Sequence, residues 1–215
     1  MMVASKICGV STREAIDTAV IEGAAYLGFV FFPRSPRNVE LEQAASLLQM
    51  VPNSVKSVAL VVDPDDTFLD AISMNPGISM FQLHGDETPE RAAEIKKRTG
   101  RSVIKAIKIS EAVDLAMAMD YSNVVDMLLF DAKAPIAMKD ALPGGNAVSF
   151  DWAILSGKDW PVPWMLSGGL DPDNVAEAIR IGGAPAVDVS SGVESAPGVK
   201  DSGLIRAFLT AVKSA

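Results

Sequence analysis

One pattern limits the fold of this chain more than any other: an alternation of apolar runs and helix-like stretches that occurs eight times. Short apolar or β-branched runs stand at Ser5–Cys8, Leu27–Phe31, Val55–Val62, Ile78–Leu83, Val103–Ile107, Val125–Phe130, Val162–Leu166 and Ala186–Val189. Between most of them lie residues with helical spacing. Ala15, Ile16, Ala19 and Val20 share one face, as do Val175, Ala178 and Ile179 with Gly182 nearby. Strands joined through helices run parallel, because the crossover returns the chain to its starting end before it pairs again. Eight units in 215 residues predict a (β/α)8 TIM barrel at the small end of its range, with residues 1–215 as a single domain. An open doubly wound sheet is the competing arrangement. It would use fewer strands, and Gly9-Val10-Ser11 is not a dinucleotide fingerprint. No linker, low-complexity tract or charge block divides the chain.

Helix starts are marked by capping chemistry. Ser11-Thr12-Arg13-Glu14 reads as a capping box with Ser11 as the cap. Thr88-Pro89-Glu90, Asp171-Pro172-Asp173 and Asp63-Pro64-Asp65-Asp66 each place a cap, then proline, then an acid in the first turn. The longest interruption, Ala132–Phe150, holds Pro135, Pro143, Gly144 and Gly145 before the next helix. A loop of that length in a small domain is expected to serve the site or move over it.

Composition narrows the function. Hydrophobic residues make up 49% and charged residues 21%, which suits a packed core and argues against disorder. No apolar run reaches membrane-spanning length, the start lacks a secretory signal, and a single cysteine cannot form an internal disulfide, so a cytoplasmic protein is expected. A net charge of −8 without a basic tract argues against nucleic-acid binding. If the ligand is an anion, helix N-termini, glycine-rich amides or a few placed cations must attract it.

In such a barrel the active site collects where strands end and βα loops begin. Cys8 ends the first run, and Lys6 shares its strand face, so a nearby ammonium would favour the thiolate. Asp131 follows Leu128-Leu129-Phe130. It suits a general acid if apolar surroundings raise its pKa, and equally a helix cap or a salt bridge to Lys133. Arg37 lies in a loop stiffened by Pro33 and Pro36 and suits a carboxylate or phosphate. It can also be a solvated loop arginine, and Arg34 is the weaker candidate. His84 is the only histidine, too few for a zinc site with one cysteine, and fits a hydrogen-bonding role at the barrel mouth. Ser167-Gly168-Gly169 and Ser190-Ser191-Gly192 follow the last two runs. Their amides form a candidate phosphate site that would need no lysine or arginine, unless they are two ordinary tight turns.

Taken in order, Lys6-Ile7-Cys8-Gly9, Gly28-Phe29-Val30-Phe31 through Ser35-Pro36-Arg37, Gln82-Leu83-His84-Gly85, the strand ending in Asp131, Gly144-Gly145 followed by Phe150-Asp151-Trp152, Leu166-Ser167-Gly168-Gly169-Leu170, and Val187-Asp188-Val189-Ser190-Ser191-Gly192-Val193-Glu194 resemble the phosphoribosylanthranilate isomerase family over nearly the whole chain. The resemblance implies an Amadori rearrangement of N-(5-phosphoribosyl)anthranilate without a metal or organic cofactor. It implies Asp131 as the acid on the ribose ring oxygen and Cys8 as the base at C2. It further implies Arg37 on the anthranilate carboxylate, Asp188 on a sugar hydroxyl, His84 in support, and the loop with Gly144 and Gly145 closing over a small phosphorylated substrate. Asp63 stands where the family commonly has Asn. Asn146-Ala147 follow the glycine pair where small or glycine residues are expected. Both departures bear on loop geometry, not on the acid or the base. Two other readings remain: a metal-dependent phosphosugar epimerase or isomerase barrel, which the lone histidine opposes, and a phosphate-binding barrel without chemistry. A monomer or a weak homodimer is expected.

Overall fold

The structure is a computed structural model that describes residues 3–133, 144–145 and 149–215. Its centre is a closed barrel of eight parallel strands in sequence order. They are β1 (Ala4–Cys8), β2 (Tyr26–Phe31), β3 (Lys56–Val61), β4 (Met80–Leu83), β5 (Ser102–Ile109), β6 (Met127–Ala132), β7 (Trp164–Leu166) and β8 (Ala186–Val189). The ring closes where Ala4–Ile7 pair with Ala186–Val189. The α-helices among the described residues are α1 (Arg13–Ile21), α2 (Leu41–Leu48), α3 (Asp66–Ser73), α4 (Pro89–Thr99), α5 (Ala116–Tyr121), α6 (Val175–Gly182) and α7 (Ser202–Lys213). None is long and apolar enough to cross a membrane.

The alternation of side chains along each strand sorts the core into two parts. Outward residues such as Ile7, Phe29, Phe81, Phe130 and Val187 pack under the helices. Inward residues fill the barrel floor: Val58, Met80, Ile104, Met127, Leu129, Met165 and Ala186. Two residues further along β1, β4, β6 and β8, the inward positions become polar and stay buried, at Lys6, Gln82, Asp131 and Asp188; on β3 and β5 they remain apolar, at Leu60 and Ala106. The site is therefore the polar top layer of the barrel interior, supported from below by an apolar one.

Several local expectations shift. Thr12, not Ser11, caps α1, its Oγ1 accepting from the Ala15 amide, and Glu14 instead accepts from Ser202 Oγ. Thr88 caps α4 with Pro89 in the first turn, as read from the sequence. Asp65, not Asp63, caps α3. Asp63 adopts a positive φ of 45°, and its carboxylate accepts from the Asp86 amide. Asp171 caps one turn ahead of α6, accepting from the amides of Asp173 and Asn174. The helix expected after the sixth strand is a short 3-10 turn, Trp152–Leu155. Residues 134–143 of the long loop, and the departures Asn146 and Ala147, lie outside the described residues. After β8 comes a 3-10 turn, Ser191–Val193, and then a two-stranded ribbon, β9 (Glu194–Ala196) and β10 (Val199–Lys200), which the sequence did not suggest.

Candidate active site

Two adjoining cavities open at the C-terminal ends of the strands. The larger, about 490 Å³, is lined by Cys8, Arg37, His84 and Asp131 among others. The smaller, about 350 Å³, is lined by Gly168, Gly169, Leu170 and Ser191. Asp131, Gly145, Ser167, Asp188 and Ser190 line both. The barrel thus brings together nearly every residue singled out from the sequence. Gly192 is the exception: it lines neither cavity. A Cβ there would run into the Leu170 carbonyl, so this glycine lets the loop after β8 pack against the loop after β7.

Cys8 and Asp131 stand on β1 and β6, three strands apart around the ring through β8 and β7. Lys6 is wholly buried beneath Cys8, and its Nζ donates to Asp188 Oδ1 at 2.9 Å. Burial works against the Lys6 charge, but Asp188 and the Cys8 sulfur outweigh it and raise its pKa. For Cys8, burial pushes the thiol pKa up from 9.0 more than Lys6 and Lys200 pull it down. The expectation that Lys6 would favour the thiolate is right for that pair and reversed in the sum.

His84 links the site to the barrel interior. Its Nδ1 lies 2.9 Å from Gln82 Nε2, and its Nε2 lies 3.1 Å from Asp131 Oδ2. The roles of the two ring nitrogens follow the tautomer and the orientation of the Gln82 amide, whose Oε1 has no partner among the described residues. Asp131 Oδ1 accepts from the Ala132 amide at 3.0 Å. Among the described residues Asp131 caps no helix, and Lys133 pairs with Asp114 at 3.8 Å. The glycine pair sits directly on these groups. A Cβ at Gly144 would stand 2.6 Å from His84 Nε2 and 3.0 Å from Asp131 Oδ2. Only a residue without a side chain lets the loop approach the carboxyl this closely.

Arg37 is buried, not solvated. Its Nε and Nη2 donate to Glu194 Oε1 and Oε2 at 2.8 and 2.9 Å, which leaves Nη1 as the edge free of Glu194. Burial opposes the Glu194 carboxylate, but the Arg37 hydrogen bonds and the Lys200 ammonium hold its pKa below the ordinary glutamate value. Arg34 lies over the Phe32 ring at 6.0 Å, away from this arrangement.

Four side chains with roles here escaped the sequence reading. Gln82 was visible only as part of a motif. Lys200, Glu87 and Lys105 carry no local signal, because barrel closure and loop packing set their partners. Lys105 Nζ donates to Glu87 Oε2 at 2.7 Å and to the Gly85 carbonyl at 2.8 Å. Glu87 Oε1 accepts the amides of Asp63 and Gly85. This buried pair ties together the loops after β3 and β4, next to His84. Among the described residues, no group of three or more His, Cys, Asp or Glu is placed to hold a metal.

A closed (β/α)8 barrel whose mouth gathers a thiol, a carboxyl and a guanidinium around one cavity has the architecture of a barrel enzyme. The N-(5'-phosphoribosyl)anthranilate (PRA) isomerase family model matches residues 5–211. The chain is 55% identical over 213 residues to the N-(5'-phosphoribosyl)anthranilate isomerase of Paramagnetospirillum magneticum, covering 99% of this chain and 98% of that one. Among solved structures it is similar to phosphoribosyl anthranilate isomerase from Thermotoga maritima, with a TM-score of 0.88 and 34% identity over the full length of both chains. It is also similar to a phosphoribosyl anthranilate isomerase in complex with reduced 1-(o-carboxyphenylamino)-1-deoxyribulose 5-phosphate, with a TM-score of 0.85 and 32% identity, again over both full chains. The chain belongs to the N-(5'-phosphoribosyl)anthranilate isomerase family.

Proposed function

We propose that this chain converts N-(5-phosphoribosyl)anthranilate into 1-(2-carboxyphenylamino)-1-deoxyribulose 5-phosphate in tryptophan biosynthesis, with Asp131 as acid and Cys8 as base. The observation that carries this reading is that both side chains line one cavity from different strands. One sugar can then meet a proton donor at its ring oxygen and a proton acceptor at C2. Asp131 gives its proton to the ring oxygen as the C1–O bond breaks, and the anthranilate nitrogen lone pair forms the iminium. Cys8, as thiolate, takes the C2 proton, and the C–H electrons move to the iminium nitrogen to give an enol-amine. This tautomerises to the ketone, so no electrons are gained or lost overall. The substrate nitrogen is the electron sink, and no organic cofactor or metal is required of this chemistry.

The two cavities suit the two ends of this molecule. The phosphate fits the smaller one, against the amides of Gly168, Gly169 and Ser191. The anthranilate carboxylate fits the free edge of Arg37. Asp188 and Ser190, shared by both cavities, fall beside the sugar hydroxyls, and Gly144-Gly145 cover the acid so that water is kept from the imine. The same reading takes residues 1–215 as one cytoplasmic catalytic domain, monomeric or weakly dimeric, whose partner is its phosphorylated substrate and not nucleic acid or membrane. Expression in a strain lacking this isomerase is expected to restore growth without tryptophan. No growth despite abundant folded protein would favour a barrel that binds phosphate ligands without chemistry.

A further inference from the structure

Lys200 is a buried cation for which the scheme above has no task. Its ammonium donates to Glu194 Oε1 at 2.7 Å, to the Ser190 carbonyl at 2.8 Å and to Ser190 Oγ at 3.4 Å. The side chain is 1% exposed, and it lines neither cavity. It lies behind both anion-binding ends at once. On one side Glu194 holds Arg37 through two hydrogen bonds. On the other, Ser190 leads into Ser191 on the phosphate side, and its hydroxyl donates to the Cys8 carbonyl at 3.2 Å.

Charge is the main constraint here. A guanidinium paired with a buried carboxylate is a neutral unit, and a neutral unit attracts a carboxylate weakly. The chain around it carries a net charge of −8, which repels an anion at longer range. One positive charge must therefore be added close by if Arg37 is to keep both its Glu194 clamp and its attraction for an anion. Lys200 is the group in contact with Glu194 that adds it; burial lowers its pKa from 10.5, and the Glu194 carboxylate opposes that fall.

We propose that Lys200 is a positioning residue for substrate binding: it restores a net positive charge to the Arg37–Glu194 unit, so that Arg37 attracts an anionic substrate group while Glu194 holds it. This rests on the proposed function. Turnover by the unaltered chain tests that function separately, and the variants below are compared with it.

Steady-state kinetics with N-(5-phosphoribosyl)anthranilate should be measured for Lys200→Met and for Lys200→Met combined with Glu194→Gln. The single variant leaves the three-residue group neutral. The double variant returns it to one positive charge while losing both original ion pairs. Lys200→Met is expected to raise KM about tenfold, more than it lowers kcat, and the double variant to bring KM back to within about threefold of the parent. A merely structural lysine predicts the opposite order, with the double variant worse than the single. A KM for Lys200→Met within about twofold of the parent, or a double variant no better than the single, overturns the proposal. If Lys200→Met does not fold, Lys200→Arg and the double variant decide. Both keep the positive charge, and KM raised about tenfold in both overturns the proposal equally.

Discussion

Replacing Cys8 by Ser, or Asp131 by Asn, is expected to lower kcat by about 10²- to 10⁴-fold while the protein stays folded. Both substitutions nearly preserve size, and each removes one proton function. Serine in place of Cys8 keeps a donor that ionises far less readily than a thiol, so the base at C2 is lost. Asparagine in place of Asp131 can still pair with His84 Nε2 through its amide, so geometry survives and the proton for the ring oxygen does not. The apolar floor beneath both residues, from Val58 to Ala186, is untouched. Far-ultraviolet circular dichroism and unfolding midpoints should therefore match the parent, and the loss should appear in turnover with the natural substrate. Parent-like kcat in both folded variants would remove the acid and base from the account. The scheme asks Cys8 to act without its proton while Asp131 carries one. In the free chain, burial raises the Cys8 pKa against the pull of Lys6 and Lys200.

Lys105→Met is expected to be the most damaging single change outside the cavity, at about 3–5 kcal/mol. Lys105 and Glu87 are 4% and 1% exposed at their side chains. Removing the ammonium leaves a carboxylate in the interior, with the amides of Asp63 and Gly85 as its remaining partners among the described residues. The Lys105 bond to the Gly85 carbonyl is lost at the same time, as is its position over the Tyr121 ring at 5.6 Å. For a domain of this length the loss corresponds to a fall of about 6–20 °C in Tm. Thermal or urea unfolding measures it directly, and a midpoint within about 2 °C of the parent would show that the pair does not hold these loops. Activity should fall too, since Gly85 follows His84 directly in the chain.

The barrel was legible because its signal is repeated eight times, so no single misread element matters. What blurred were element ends. The run Val125–Phe130 suggested a strand from its first valine, whereas β6 begins at Met127 and continues through Asp131 to Ala132. Asp131 reads as a break in hydrophobicity, yet it occupies the next inward position after Leu129. Polar residues in step with an apolar alternation mark the point where a barrel interior turns from floor to site, and Lys6, Gln82 and Asp188 show the same pattern.

The site was legible as far as it is made of strand ends. Cys8, His84 and Asp131 follow their apolar runs closely, and the barrel rule finds them without knowledge of any partner. What lay beyond reach were interactions formed by closure. Arg37 and Glu194 are 157 residues apart and Lys105 and Glu87 are 18 apart, and neither spacing has meaning along a single element. The loop Ser190–Glu194 read as one glycine-bearing segment. In the folded chain it divides its work: Ser190 and Ser191 face the cavities, Gly192 packs on Leu170, and Glu194 turns to Arg37.

The central claim is that one sugar lies between the Cys8 sulfur and the Asp131 carboxyl. A crystal structure of this chain with reduced 1-(o-carboxyphenylamino)-1-deoxyribulose 5-phosphate tests it most directly. The account predicts the phosphate on the amides of Gly169 and Ser191, the carboxylate at Arg37 Nη1, the C2 atom beside Cys8 Sγ, and the hydroxyl derived from the ring oxygen within hydrogen-bond distance of Asp131. A ligand bound in the reverse sense, or one whose C2 lies away from the sulfur with Asp131 touching only protein, would contradict it.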